Sequence, residues 1–394
     1  MINKYKGSYV SYVLMFTFYF FALGIFSSIM SIYLSGIGKS ASEISFIVSS
    51  VGIFSVLTQP FVGYLIDKTQ KPKLVSAITL LLAGVTGVVF IFFHNNVLLF
   101  ILNGFTLAFI NSVSPINEKL ATNSRFRYGI IRMWGAIGFA IASQIAGLVY
   151  DHISPSFNFV LFFVAIIISI IGYYGTTQIE VDINNSSQSL SFKEVNSALL
   201  KNKRYFLFLL LTFIFTGMTG VNNTFLPLLI TEKGGSVSIV GTIIFFATLV
   251  EIPIILLSHL FLDRVSGRVL LIISFVVILL QFSAYSLISS LNIIIVSTVL
   301  FKALATMLFI MITLKIVINI VESSYINSAL AIAATGKALG GLVFQLVGGK
   351  IVVMYDIETL YFFFTFISLL GIIISFMMKI EGNSKNLFNG QNSD

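Results

Sequence analysis

Gln59-Pro60-Phe61-Val62-Gly63-Tyr64-Leu65-Ile66-Asp67-Lys68 closes an apolar run on an adjacent anion and cation, and Thr69-Gln70-Lys71-Pro72-Lys73 turns the chain into the next apolar run. The span 43–66 carries no charge after Glu43. As a helix it is long enough to cross the roughly 30 Å hydrocarbon core of a bilayer. The charged cluster behind it stops the span at the membrane surface. An offset of 196 residues leads from there to Asp263-Arg264-Val265-Ser266-Gly267-Arg268, which closes another apolar run in the same manner.

The rest of the chain has the same grain. Of 394 residues 57% are hydrophobic and 10% charged, against roughly a quarter charged in soluble domains. Apolar runs and their polar breaks give twelve expected spans: 9–33, 43–66, 74–93, 97–120, 131–151, 156–176, 205–231, 238–262, 269–289, 292–318, 325–354 and 358–379. The weakest break is at Leu291-Asn292. A soluble enzyme is excluded. Cys is absent, which removes disulfides, thiol catalysis and cysteine metal sites. The first apolar run is too long for a signal peptide and is expected to be a retained helix.

Net charge is +8. In a soluble protein that would suggest nucleic acid, but here its placement carries the information. Alternate loops hold 17 basic residues, among them Lys68, Lys71, Lys73, Arg125, Arg127, Arg264 and Arg268, whereas the opposite loops hold Lys39, Lys233 and Lys350. Cytoplasmic loops are the ones enriched in Lys and Arg. Both termini are therefore expected inside, in a bacterial-type cell membrane, with no nucleic-acid partner. The long polar stretch 178–204 divides the chain into six spans, 1–177, and six spans, 205–380, ahead of a tail, 381–394. Its composition is that of a flexible linker.

The halves resemble each other, as in transporters built from repeats. Beyond the loop at offset 196, Arg132-Met133-Trp134-Gly135 with Phe139 matches Lys337-Ala338-Leu339-Gly340 with Phe344 at offset 205. In both, cation, glycine and phenylalanine lie along one helical face. The expected fold is an all-α membrane protein of twelve transmembrane helices in two pseudo-symmetric six-helix halves.

The Gln-Pro-x-x-Gly-x-x-x-Asp-Lys stretch 59–68 resembles the second-span signature of the major facilitator superfamily, in the form found in the oligosaccharide:proton symporters, the lactose permease group. Tyr128-Gly129-Ile130-Ile131-Arg132-Met133-Trp134-Gly135 is similar to the opening of that group's fifth span. Glu251-Ile252-Pro253 followed by Asp263-Arg264 resembles the eighth span of the related phenylpropionate and nucleoside permeases. The resemblance implies alternating access around a midplane cavity. It also places the sugar-binding acid of the fourth span on Ser114, the ninth-span arginine on Gln281, the tenth-span histidine on Lys302 and a proton-release carboxylate on Ala305. Arg132 and Lys337 keep the family's cations, while Asn222-Asn223 stand where seventh-span aspartates are absent. In the family the cluster of Gly63, Asp67 and Lys68, repeated in Asp263, Arg264 and Arg268, acts as a cytoplasmic gate. Gly63 is expected to sit in a close helix contact.

An ionisable group inside a span costs about 2.5–3.5 kcal/mol, so it tends to face the bundle interior with a partner or a task. Arg132, Glu251, Lys302 and Lys337 are such groups. Burial favours the neutral form of a carboxylic acid and a nearby cation the ionised form. A change in the pairing of Glu251 with Lys302 would thus load or release a proton; a permanent salt bridge is the structural alternative. Three cations to one anion leave room for an anionic solute beside a sugar-like one. Asn222, Asn223 and Gln281 suit either solute hydroxyls or helix–helix hydrogen bonds. Trp134 reads as an interfacial anchor. Nothing has metal-ligand, nucleotide-loop or nucleophile–base spacing.

These readings converge on a monomeric secondary transporter. It takes up a small solute with protons as the coupling ion and has no cofactor and no enzymatic activity. A proton-driven exporter is the first alternative, and a sensor or scaffold on the same fold the second.

Overall fold

A chain crossing hydrocarbon must satisfy its backbone hydrogen bonds within each segment, so uninterrupted apolar runs become helices. The computed structural model of the protein describes residues 5–177, 199, 201–257, 264–322 and 325–378. Every regular element among them is helical. Twelve are long and apolar enough to span a bilayer. In the first half they are α1 (Tyr9–Gly36), α2 (Ala41–Thr69), α3 (Pro72–Phe92), α4 (Asn96–Thr122), α5 (Tyr128–His152) and α6 (Phe157–Gly175). The second half has α7 (Lys203–Glu232), α8 (Val237–Leu256), α9 (Gly267–Leu287), α10 (Leu291–Ile320), α11 (Ile326–Met354) and α12 (Ile357–Met377). Each coincides with an expected span to within a few residues. The break expected at Leu291-Asn292 falls earlier, at the turn before Leu291. The tail 381–394, most of the linker and residues 258–262 lie outside the described residues.

Local chemistry sets the helix ends. Ser40 and Glu43 form a reciprocal capping box at the start of α2, satisfying two otherwise unpaired N–H groups. Pro72 occupies the first turn of α3, where a missing N–H costs nothing. Asn95, Ser266 and Asp356 cap α4, α9 and α12 through their side-chain oxygens. Gln70 ends α2 in the left-handed conformation, with φ of 55°.

Contacts divide the chain into two compact units. The first comprises Met1–Ile183, Asn223–Leu249 and Gln345–Met354; the second comprises Asn184–Asn222, Val250–Phe344 and Tyr355–Asp394. Within the first, α1 packs on α5 and α6, α2 on α4, and α3 on α4 and α6. Phe26, Tyr33, Phe90, Phe159 and Phe162 fill its core, with ring centroids 4.8–6.1 Å apart. Within the second, α9 packs on α10 and α12. Phe215 of α7 stacks on Phe309 of α10 with centroids 4.0 Å apart.

The repeat read between the fifth and eleventh spans has a structural counterpart. Gly135 of α5 faces the Phe20 ring of α1, and Gly340 of α11 faces the Phe213 backbone of α7. In each half the fifth helix thus presses a glycine onto the first. A side chain at Gly340 would run into the Phe213 carbonyl, whereas at Gly341 no described atom lies within 4 Å of a Cβ. Gly340→Leu is therefore expected to destabilise the purified protein by about 1–3 kcal/mol in detergent melts, while Gly341→Leu stays near neutral. Equal losses from the two would show that α7 and α11 do not pack this way.

Candidate functional site

On α5, Tyr128 and Arg132 are four residues apart and share one face. Both reach Glu118 near the end of α4. The Tyr128 hydroxyl donates to Glu118 Oε2 at 2.6 Å, and Arg132 Nε lies 3.6 Å from Oε1. The Arg132 guanidinium also stands over the Phe20 ring, 4.5 Å from its centroid, an attraction that desolvation strengthens. A Cβ at Gly135 would come within 2.6 Å of that ring, so only glycine leaves the room it needs. Tyr19, one residue earlier on α1, is 2% exposed and donates to the Ile110 carbonyl at 2.9 Å. The side chains of Arg132 and Glu118 are 28% and 34% exposed, open enough for water or a solute to reach and to exchange their hydrogen bonds. A pair that open contributes at most about 1 kcal/mol to stability. Its value lies in placing paired charge where it can be rearranged.

Glu118 is not distinguished by the sequence. Beside Lys119 at the end of a span it looks like an interfacial charge. The available signal was its spacing of four residues from Ser114, the position to which the resemblance assigned a sugar-binding acid. One helical turn puts both on the same face. With Glu118 counted, three cations stand against two anions.

The second unit holds the other group. Glu251 of α8 acts electrostatically on Lys302 of α10, and both are half-buried. Lys302 closes a π-helical turn, Thr298–Lys302, inside α10. A π turn inserts one residue into the helix and re-aims the side chains around it, and such turns concentrate at functional sites. The turn is braced from its other end. Gln281 donates to the Tyr285 hydroxyl at 2.7 Å, which is in turn 2.5 Å from the Thr298 hydroxyl, all of them buried.

The uncharged polar candidates therefore separate. Gln281 belongs to that buried brace, and Asn222 accepts a hydrogen bond from Tyr361 of α12 at 2.9 Å, so both hold helices together. Asn223 is exposed. Lys337 is half-buried on α11, and its carbonyl takes the Thr216 hydroxyl at 3.5 Å. Among the described residues no carboxylate pairs with its ammonium group. Trp134 donates to the Tyr9 hydroxyl at 2.7 Å, fixing α5 against α1.

At the lysine-rich end of the helices the expected gate is only partly in view. Asp263 and the Asp67 side chain lie outside the described residues. Lys68 stands over Tyr64, 5.7 Å from its ring centroid, and Arg264 is exposed in its turn. Gly63 differs from expectation: no described atom lies within 4 Å of its Cβ position, because this face of α2 borders open space rather than a helix. Arg268 donates to the Phe376 carbonyl at the end of α12 and lies over its ring at 5.8 Å. Lys73 at the start of α3 likewise donates to the Thr176 carbonyl beyond α6. In each half the third helix thus opens with a cation that satisfies a carbonyl left over at the end of the sixth. Arg268 tethers two helix ends of its own half.

At the opposite end, within the first unit, five helices are joined by polar contacts. Asp151 of α5 accepts from the backbone N–H and the hydroxyl of Ser238, both at 2.6 Å, and so caps the first turn of α8 from a neighbouring helix. Gly147 and Gly241 let the α5 and α8 backbones touch. Gln345 of α11 donates to Ser45 of α2 at 3.4 Å and is 3.3 Å from Thr224 of α7.

A family model, the MFS_1 like family, matches residues 9–367. The chain belongs to this family of the major facilitator superfamily. It is similar to an uncharacterized transporter, YwbF, of Bacillus subtilis, 28% identical over 94% of each chain. It is also similar to the maltose permease of Geobacillus stearothermophilus, 26% identical over 91% of each. Among solved structures a mutant form of the nucleoside transporter NupG superposes with a TM-score of 0.80 at 20% identity, covering 94% of this chain and 99% of that one. At that identity the superposition speaks for the fold. The protein is a transporter of permease type embedded in a membrane, not an enzyme.

In this transporter the Glu118–Arg132 pair offers a direct test. Removing one partner strands a charge, whereas removing both does not. Glu118→Gln/Arg132→Gln is expected to retain more transport than Arg132→Gln alone, with a coupling near 1 kcal/mol, about fivefold in rate. Additive losses in a double-mutant cycle would show that the two side chains act separately.

Proposed function

We propose that the protein carries a small hydroxylated, sugar-like solute into the cell together with protons, by alternating access in the cell membrane, with both termini in the cytoplasm. The single observation that carries this reading is that Glu251, within the membrane-spanning α8, acts electrostatically on Lys302 of α10, which closes a π turn. Burial favours the neutral form of a carboxylic acid and a nearby cation the ionised form, so moving the helices that carry the two groups would move a proton. Similarity to a maltose permease over nearly the whole chain supports a sugar-like cargo. The Glu118–Arg132 pair, with Phe20 and Tyr128 around it, supplies hydrogen-bond donors and acceptors next to an aromatic face, the combination that suits a ring bearing hydroxyls.

A second reading has its own observation. Lys337 has no carboxylate among the described residues, and a solute carboxylate would balance it. Counterflow in proteoliposomes with maltose, nucleosides and aromatic acids separates the two. If only the acids exchange, and Lys337→Ala abolishes that exchange, the cargo is an organic anion. Efflux of a lipophilic cation with none of these exchanging would identify an exporter.

For coupling, Glu251→Gln is expected to retain counterflow and to lose accumulation under an imposed inward proton gradient. Full accumulation by this variant would end the coupling role. For the conformational cycle, the cap from Asp151 to α8 has to open. Asp151→Asn weakens a charge-assisted bond, and cysteines introduced beside Ser238 are expected to react faster with an external thiol reagent in that background. Unchanged labelling would mean that this contact does not gate.

A further inference from the structure

At the lysine-rich end of the first unit, the start of the chain, the α2–α3 turn and the end of α6 enclose a cavity of about 780 Å³. The proposed transport mechanism makes no use of it. Three of its lining residues are Lys6, Lys71 and Lys73, and none is a carboxylate. The backbone brings these cations together by two left-handed residues. Gly7, with φ of +71°, donates its N–H to the Gly175 carbonyl at 2.6 Å and so holds Lys6 against the end of α6. Gln70, with φ of 55°, turns the chain so that Lys71 and Lys73, on either side of Pro72, both reach the cavity.

Lys73 is held at the wall by its bond to the Thr176 carbonyl, and the Lys6 ammonium group is close enough to act on it electrostatically. Among the described residues none of the three lysines pairs with a carboxylate. Like charges gathered in a concave site without a counter-charge repel, and an anion bound between them removes the repulsion. The first turn of α3, with its unpaired N–H groups, adds to the positive potential. Leu74 and Tyr174 also line the cavity and are 49% and 68% exposed, so its rim continues onto the apolar flank of the helices.

We propose that this cavity binds a phosphate ester, with Lys6 and Lys71 as the mobile cations that close on it and Lys73 as the fixed one. The group reaches it either as the headgroup of an anionic phospholipid sliding in along Leu74 and Tyr174 or as a soluble phosphate from the aqueous side. Basic pockets between helix ends are known to take anionic lipid headgroups, each Lys near the surface strengthening the attraction. None of Glu118, Arg132, Glu251 and Lys302 lines the cavity, so this binding stands whether or not the proposed coupling does. Only the choice of leaflet follows from the orientation proposed above.

The full-length transporter, purified in neutral detergent, is titrated with phosphatidylglycerol, with phosphatidylcholine and with inorganic phosphate, and its melting temperature is followed. Phosphatidylglycerol is expected to raise it in a saturable manner and phosphatidylcholine to leave it unchanged. Lys6→Gln/Lys71→Gln is expected to weaken the phosphatidylglycerol response about thirtyfold. The charge-preserving Lys6→Arg/Lys71→Arg, a control for folding, is expected to keep it. Saturable stabilisation by inorganic phosphate that needs the same two lysines would identify the soluble source. No response to either anion, or a response unchanged by removing the two lysines, would overturn the proposal. So would charged lipid bound in native mass spectra equally by the wild type and the glutamine variant.

Discussion

Charge is scarce in this protein because hydrocarbon makes it costly, and that cost organises everything else. A helix surrounded by lipid cannot hold an ionised side chain unless a counter-charge, a polar partner or water reaches it. The chain carries a cation and a carboxylate toward this end in each half: Arg132 lies 3.6 Å from Glu118, and Lys302 lies within the electrostatic reach of Glu251. None of these four side chains is sealed, since they stay partly exposed or half-buried. A sealed pair would be static. A partly open one leaves its hydrogen bonds within reach of water.

The rest of the helix bundle holds these charges in place with uncharged groups. Glycines at Gly135 and Gly340 bring the fifth helix of each half against the first. Buried hydroxyls and amides, Gln281 to Tyr285 to Thr298 and Tyr361 to Asn222, brace the helices that bear Lys302 and its surroundings. At the lysine-rich membrane end the same device appears twice, a cation opening the third helix and bonding a carbonyl at the end of the sixth, Lys73 in one half and Arg268 in the other. Each is a local solution to one problem: the last carbonyls of a helix need donors, and a basic side chain at the interface can supply them without entering hydrocarbon.

The far-end contacts are of another kind. Asp151 capping α8, and Gln345 meeting Ser45 and Thr224, join helices through a few polar groups and touching glycines. Of these, the Asp151–Ser238 contact is exposed and open to water, while Gln345, Ser45 and Thr224 are buried.

Membership in the membrane class, the twelve spans and the two-fold repeat were legible in the sequence because they depend on local properties: runs of apolar residues about as long as a bilayer is thick, ended by charge, Pro or Gly. The four intramembrane ions were legible for the same reason, as exceptions to the runs. Partnership was not. Glu118 sits at a span end beside Lys119 and looks interfacial until α5 folds back and places Tyr128 and Arg132 on it. Gln281 and Asn222 suit a solute or a helix contact equally in the sequence, and only the structure shows Tyr285 and Tyr361 as their hydrogen-bond partners. Gly63 reads as a close contact, yet its face of α2 borders open space. Composition along one helix determines what crosses the membrane. Which side chains meet depends on how the helices rotate and lean against one another, and only the tertiary structure decides that, because it is set by packing across residues far apart in the chain.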